Sequence, residues 1–294
     1  MKNSIGLERA AWAFVLPALL LIFVFFFIPI VAALIMSLTD FDIYALANLK
    51  NLRFVGLRNY IELLQTPLFW QALGNTAYFV VIGVPLSMAA SLLSANLIHA
   101  KLSYFKGFYR TAFFAPVVTS LVAVAVIWRY LFHMRYGYLN YVLTSLGLDS
   151  IDWLGNPKFA MPAIIIFSVW KNFGYNMIIV LAGLQSIPED IYEAAKIDGA
   201  GVWSTFRYMT LPMLAPTLLM VSIMTMAGYF QLFAEPYVMT QGGPVQSTVS
   251  VLYLMYEEGF KWWNLGTASA VAFVLFFIMF SITLIQIRLS KVEQ

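Results

Sequence analysis

Ser168, Lys171, Asn172 and Tyr175 recur at intervals of 3, 1 and 3, so a helix through them would carry all four on one face. Thr225 and Tyr229 stand four apart, and Gln231 and Glu235 follow shortly after. This chemistry binds; it does not catalyse. Hydroxyls, amides and aromatic rings suit a solute such as a sugar, which offers hydroxyl groups and apolar ring faces. Each residue also has a purely structural role open to it. Lys171 can snorkel or pair with an acidic residue. Tyr175 and Tyr229 can pack between helices, Asn172 can bond across to another helix, and Ser168 and Thr225 can bond back to the i−4 carbonyl. For an enzyme there is little material. The chain has no cysteine and two histidines, and its carboxylates are scattered over polar stretches with no Ser/His/Asp grouping. That excludes disulfides, thiolate metal sites and cysteine nucleophiles, and we expect no bound metal or cofactor. There is also no GxxxxGK[ST] stretch and no Gly-Lys dipeptide, so the chain cannot build its own phosphate cradle for ATP.

The elements that must position these residues are membrane spans. Of 294 residues, 62% are hydrophobic and 11% charged, against roughly 25% charged in an ordinary soluble domain. The net charge of +3 is too small to point to nucleic acid. Six apolar stretches reach the length of about 20 residues that a spanning helix needs: 11–38, 72–97, 112–132, 160–184, 211–233 and 267–289. The first is too long for the apolar core of a cleaved leader and reads as a retained span. The expected fold is therefore an all-α membrane protein with residues 1–294 in a single transmembrane domain. Lys and Arg favour the segments on the N-terminal side of the membrane, most clearly in the short loop with Lys101, Lys106 and Arg110. The positive-inside rule then predicts both termini inside. Trp70, Trp153, Trp262 and Trp263 fall in the predicted outside loops, where aromatic residues anchor at the lipid boundary.

Between the fourth and fifth spans lies a polar segment, 186–210. Ser186 and Glu189 have capping-box spacing, Pro188 sits in the first turn, and Gly199 can stop the helix. The predicted helix is Ile187–Asp198. Ile187, Ile191, Ala194 and Ile197 are expected to share an apolar face, with a second short helix over 202–208. The first half is acidic, which suits a basic protein partner better than an anionic lipid surface, where helices carry Lys and Arg.

Glu193-Ala194-Ala195, Asp198-Gly199-Ala200 and Leu211-Pro212 together resemble the EAA loop of ABC-importer permease subunits. Thr240-Gln241-Gly242-Gly243-Pro244, followed by Ser247 and Thr248, is similar to the carbohydrate-uptake branch of that family, of the maltose and glycerol-phosphate type. The resemblance covers the whole chain in span number and motif order. It implies a permease that moves a sugar or related polyol across a bacterial cytoplasmic (inner) membrane. A second homologous permease, two ATP-binding subunits carrying ATP and Mg, and an extracytoplasmic solute-binding protein would be its partners, with membrane lipid around it. In this scheme Glu193 is the charged contact to the ATPase, Ala194 and Ala195 the close-packing surface, Asp198 the brace and Gly199 the turn. Gly242, Gly243 and Pro244 would face the binding protein, although a tight turn alone also explains them. One departure is Trp203-Ser204-Thr205-Phe206, where the family commonly has a polar residue. From a different class, an ion- or proton-coupled secondary transporter would need a buried relay, for which Lys171 is the one obvious charge deep in a span.

Overall fold

The computed structural model describes residues 2–48, 52–99 and 105–292, so Lys101 of the charge argument lies outside the described residues. All six predicted spans are helical. Among the described residues, five continuous helices are long and apolar enough to cross a membrane, or six if a bent pair is counted as one span. We label the elements used below in chain order: α1 (Ala11–Ser37), α2 (Pro67–His99), α3 (Lys106–Val118), α4 (Leu121–Leu131), α5 (Tyr138–Ser145), α6 (Pro157–Gln185), α7 (Glu189–Ile197), α8 (Val202–Phe230), α9 (Ala234–Met239) and α10 (Leu265–Val292).

Proline placement explains the irregular turns. In α1 the turn Phe23–Phe27 is π-helical, and the Ile28 amide bonds Phe23 O, immediately before Pro29. In α8 the turn Phe206–Thr210 repeats the arrangement, with the Leu211 amide on Phe206 O immediately before Pro212. A proline ring clashes with the carbonyl four residues back and supplies no N–H; widening the preceding turn by one residue relieves both problems. As a result the helix predicted over 202–208 is not separate. It is the first part of the fifth span, which runs unbroken from Val202 instead of starting at Leu211.

The third span departs most from expectation. It is two helices, α3 and α4, meeting at 99°. Thr119 and Ser120 are extended, and Pro116 lies just before them. The last carbonyls of α3 would be orphaned by such a break. Thr119 Oγ1 donates to Pro116 O at 2.6 Å. The Lys171 ammonium, on α6, donates to Pro116 O at 2.6 Å and Val117 O at 3.0 Å. A cation at a helix C-terminus is also favoured by the dipole. Gly174, one turn further along α6, makes the approach possible, because a Cβ there would lie 2.0 Å from Phe113 O.

The chain forms two compact units. One comprises residues 1–67 and 254–276. Within it, Asn59 Nδ2 donates to Ser37 O and Thr39 O at 2.8 Å each, and Gly266 N donates to Phe41 O at 2.9 Å, tying down the stretch after α1. The most apolar window of α1 buries none of its residues within the chain. The other unit comprises 68–253 and 277–294 and holds both candidate sites. Its core packs Ala95 and Ile98 of α2 against Met177, Val180, Leu181 and Leu184 of α6 and Leu214 and Val221 of α8. The stretch predicted as the second outside loop carries α5, fastened by Asn140. Its amide donates to Met134 O and Ile151 O, and its oxygen accepts from Ile151 N and from the Trp153 indole at 3.1 Å. Trp153 is thus half-buried and bonded within the chain, where an anchor in lipid was expected.

Candidate functional site

Residues of α6 and α8 line, with α2, α4 and α9, an open cavity of about 530 Å³. Asn172, Tyr175, Thr225 and Tyr229, four of the six residues singled out by spacing, line it. Ser168 and Lys171 do not. Ser168 is fully buried, and Lys171 is 5% exposed with its ammonium held on the α3 carbonyls. A 3-1-3 spacing spreads over more than one edge of a helix, and only the 172/175 edge reaches the cavity.

Each wall residue is held by a neighbour. Asn172, in the lining, donates its Nδ2 back to Ser168 O at 2.9 Å. Thr225 Oγ1 donates to Val221 O at 2.7 Å and accepts from Asn176 Nδ2 at 2.8 Å. The Tyr229 ring packs on Phe79, centroids 4.9 Å apart, and fits because residue 83 is glycine: a Cβ there would lie 2.8 Å from the ring. Asn176, Gln231 and Glu235 complete the polar lining. Asn176 was not singled out from sequence. The signal was present, since 168, 172 and 176 continue one i, i+4 row.

α9 carries Glu235, which is 9% exposed and close enough to Lys171 to interact electrostatically. Arg129 of α4 donates to Val238 O at 3.3 Å, fixing the end of α9. The turn after α9 is built around Gly242, at φ +80° and with Val249 Cγ2 2.9 Å from where its Cβ would be. Thr248 Oγ1 donates to Gly243 O at 2.8 Å, and the Thr240 and Thr248 hydroxyls share a bond of 2.7 Å. Asn75 of α2 donates to Gln246 O and Val249 O at 2.9 Å each. Gly242, Gly243 and Pro244 therefore form a pinned turn, with Val245 next to them 82% exposed.

At the other end of α6 and α8 is α7. Its C-terminus is a Schellman stop: Gly199 has φ +74°, Ala200 N donates to Ala195 O and Gly199 N to Lys196 O. Its N-terminus departs from expectation. Pro188 is the N-cap, and the helix spans Glu189–Ile197, shorter than Ile187–Asp198. The predicted capping box is absent because Ser186 ends α6 instead, its Oγ donating to Gly183 O at 2.8 Å. The apolar face is also rotated. Ile187 and Ala195 are buried, Ile191 and Tyr192 are half-buried, and Ala194 and Ile197 point outward, Ile197 being 86% exposed. Ala195, expected to meet a partner, is enclosed by its own chain. The outward face carries Glu193, Ala194, Ile197 and Asp198. Tyr192 packs on the α6/α8 core, and Thr210 Oγ1 donates to its Oη at 3.3 Å.

A helical bundle with several candidate spans, a polar cavity between two of them and an exposed helix joining the same two has the build of a multi-span transport protein. Residues 88–291 match the family described as binding-protein-dependent transport system inner membrane component, and the chain belongs to it. It is 37% identical over 285 residues to the lactose transport system permease protein LacF of Rhizobium radiobacter, covering 95% of this chain and 93% of the relative. It is 32% identical over 286 residues to the trehalose/maltose transport system permease protein MalF of Thermococcus litoralis, covering 96% and 94%. Its fold is similar to that of a chain in a bacterial alginate ABC transporter, solved in complex with an alginate pentasaccharide-bound periplasmic protein. There the TM-score is 0.82 with 22% identity, over 97% of this chain and 95% of that one.

Proposed function

We propose that this chain is the membrane-spanning permease of an ATP-driven importer that carries a sugar or related polyol. Both termini would lie inside a bacterial cytoplasmic membrane, beside a second, homologous permease. Relatives that carry lactose and trehalose/maltose support the solute class. The observation that carries the reading is the arrangement of α6 and α8. Toward one end they wall a cavity of amides, hydroxyls and rings; at the other they are joined by α7. The cavity fits a solute that both accepts and donates hydrogen bonds and presents apolar faces. With no phosphate cradle in its own sequence, the chain must draw ATP energy from another subunit, which would carry ATP and Mg. α7 is the surface for that contact: Ile197 and Ala194 give an apolar centre, flanked by Glu193 and Asp198. An exposed apolar patch with a carboxylate on either side, and Lys196 exposed beside it, fits a protein cleft with charged edges. A solute-binding protein would dock on the opposite side, where the pinned Gly242–Pro244 turn would lie.

For ATP to drive transport, the ATPase must contact α7 differently in two states of the permease. An ion-coupled carrier would instead need a mobile buried charge; the Lys171 ammonium is held on two carbonyls, and Glu235 sits on α9, whose end Arg129 fixes. The test is co-purification in detergent. Glu193→Lys and Gly199→Asp should lose the ATPase subunit while the permease still inserts in the membrane. ATP-driven sugar uptake at the normal rate in both variants would sink the docking assignment. A lone wild-type chain taking up sugar on a sodium or proton gradient would sink the importer reading.

A further inference from the structure

Building on the sugar-cavity reading above, we propose that Glu235 sets the charge class of the solute: neutral and amine-bearing sugars are accepted, and sugars bearing a carboxylate are rejected.

The cavity wall is polar but holds one acidic side chain and no lysine or arginine among the described residues. Its hydrogen-bonding groups are Asn172, Tyr175, Asn176, Thr225, Tyr229 and Gln231, all uncharged in ordinary conditions, and Glu235 is the remaining polar member. A positive charge is nearby, but it is not available to a solute. Lys171 is 5% exposed, does not line the cavity, and has two of its three N–H groups directed at Pro116 O and Val117 O. Those carbonyls are the negative end of α3 and take up two of the ammonium's N–H groups; its charge still acts on Glu235 and favours the ionised carboxylate, and of this coupled pair only Glu235 borders the cavity. An anionic solute entering this wall would lose water and meet a carboxylate, with no cation to receive it. Within about 10 Å, in a partly dry site, the repulsion of two carboxylates amounts to roughly tenfold or more in affinity. A hydroxyl would donate to the same carboxylate, and an ammonium would pair with it. Glu235 is well placed for this role because α9 is fixed: Arg129 holds Val238 O, and the turn after α9 is pinned on α2. A carboxyl on a rigid support cannot withdraw from an unwelcome solute at small cost.

The probes are three radiolabelled disaccharides of matched size: cellobiose, the glucosamine disaccharide, and cellobiouronic acid. Equilibrium binding is measured on the detergent-purified importer prepared without solute-binding protein. Wild type is expected to bind the first two and to bind the uronate at least tenfold more weakly than cellobiose. Glu235→Gln is expected to bring the uronate to within about threefold of cellobiose and to remove any preference for the amine. Glu235→Ala, read on the same three sugars, is likewise expected to bring the uronate toward cellobiose, and it serves where Glu235→Gln does not assemble. Unchanged discrimination in these variants overturns the proposal, because a carboxyl held neutral would already behave as Gln does. If Asn172→Ala then weakens cellobiose binding, the cavity reading survives without the charge assignment. If Asn172→Ala and Glu235→Gln both leave all binding untouched, or wild type binds none of the three sugars, the cavity reading falls and the charge assignment with it.

Discussion

Lys171→Met tests whether a buried cation holds the broken span together. The ammonium makes two hydrogen bonds to carbonyls, at 2.6 and 3.0 Å, from a side chain only 5% exposed. Hydrogen bonds from a charged donor contribute about 1.5–3 kcal/mol each, so the gross loss is roughly 3–6 kcal/mol. Part of that returns, since methionine no longer requires a charge to be kept out of water, a cost of several kcal/mol for a buried ion. The carbonyls do not fare equally. Pro116 O retains the Thr119 hydroxyl and amide. Val117 O loses its donor, and an orphaned carbonyl costs about 1–3 kcal/mol. The expected net loss is about 2 kcal/mol, because one partner is removed and the other left unsatisfied. Thermal unfolding of the purified permease in detergent should show a drop of about 4–8 °C, taking 2–4 °C per kcal/mol for a chain of this size class. Lys171→Arg should recover part of it. Since Val117 and Leu121 flank the break and line the cavity, Lys171→Met should also raise the KM for sugar uptake. A melting temperature at or above wild type would refute the reasoning: the ammonium would then be a net burden, and the break would be held by Thr119 alone.

Two further outcomes follow from close packing. Gly174→Val should fail to fold or lose most of its thermal stability, because even a Cβ would overlap Phe113 O; wild-type melting would mean that α3 and α6 do not approach as described. Adjacent alanines of α7 should separate by role in paired measurements of melting and ATPase co-purification. Ala195→Glu buries a charge in the permease and should lower melting. Ala194→Glu, on the exposed face, should leave melting unchanged and weaken capture of the ATPase.

What the sequence made legible was whatever depends on local composition. Long apolar runs give helices regardless of neighbours, because lipid leaves the backbone no other way to satisfy its hydrogen bonds. The Gly199 stop is likewise local, set by one residue free to adopt positive φ. Features that depend on competition between neighbours were hidden. Ser186 could cap α7 or close α6, and spacing could not decide which; it closes α6. The run Val117–Ser120 is apolar enough to read as the interior of one span. The break becomes visible only when Lys171, more than fifty residues later, is seen on its carbonyls. The rotation of α7 has a similar origin. Counting apolar residues favoured burial of Ala194 and Ile197 on the same side as Ile187. The fully buried small side chain of α7 is instead Ala195.

The seating of α7 bears on how a movement there would reach the cavity. Ile187 belongs to the same buried cluster as Leu184 of α6 and Leu214 of α8, and the Tyr192 hydroxyl is bonded to Thr210 of α8. Some way along, Asn176 of α6 and Thr225 of α8 are joined by a bond of 2.8 Å beside the cavity. The two helices are therefore fastened to each other at both places, as close-packed elements are. Gly183, where a Cβ would lie 2.8 Å from Thr217 Oγ1, leaves no slack between them. The wall facing them is a broken span. α3 and α4 meet at a 99° break and are fastened to α6 by the Lys171 ammonium, by the close approach at Gly174 and by ring contacts of Phe113 with Phe173 and of Trp128 with Phe167 and Trp170. Lys171, which the spacing of polar residues marked as a solute contact, thus sits where the broken span is fastened to α6.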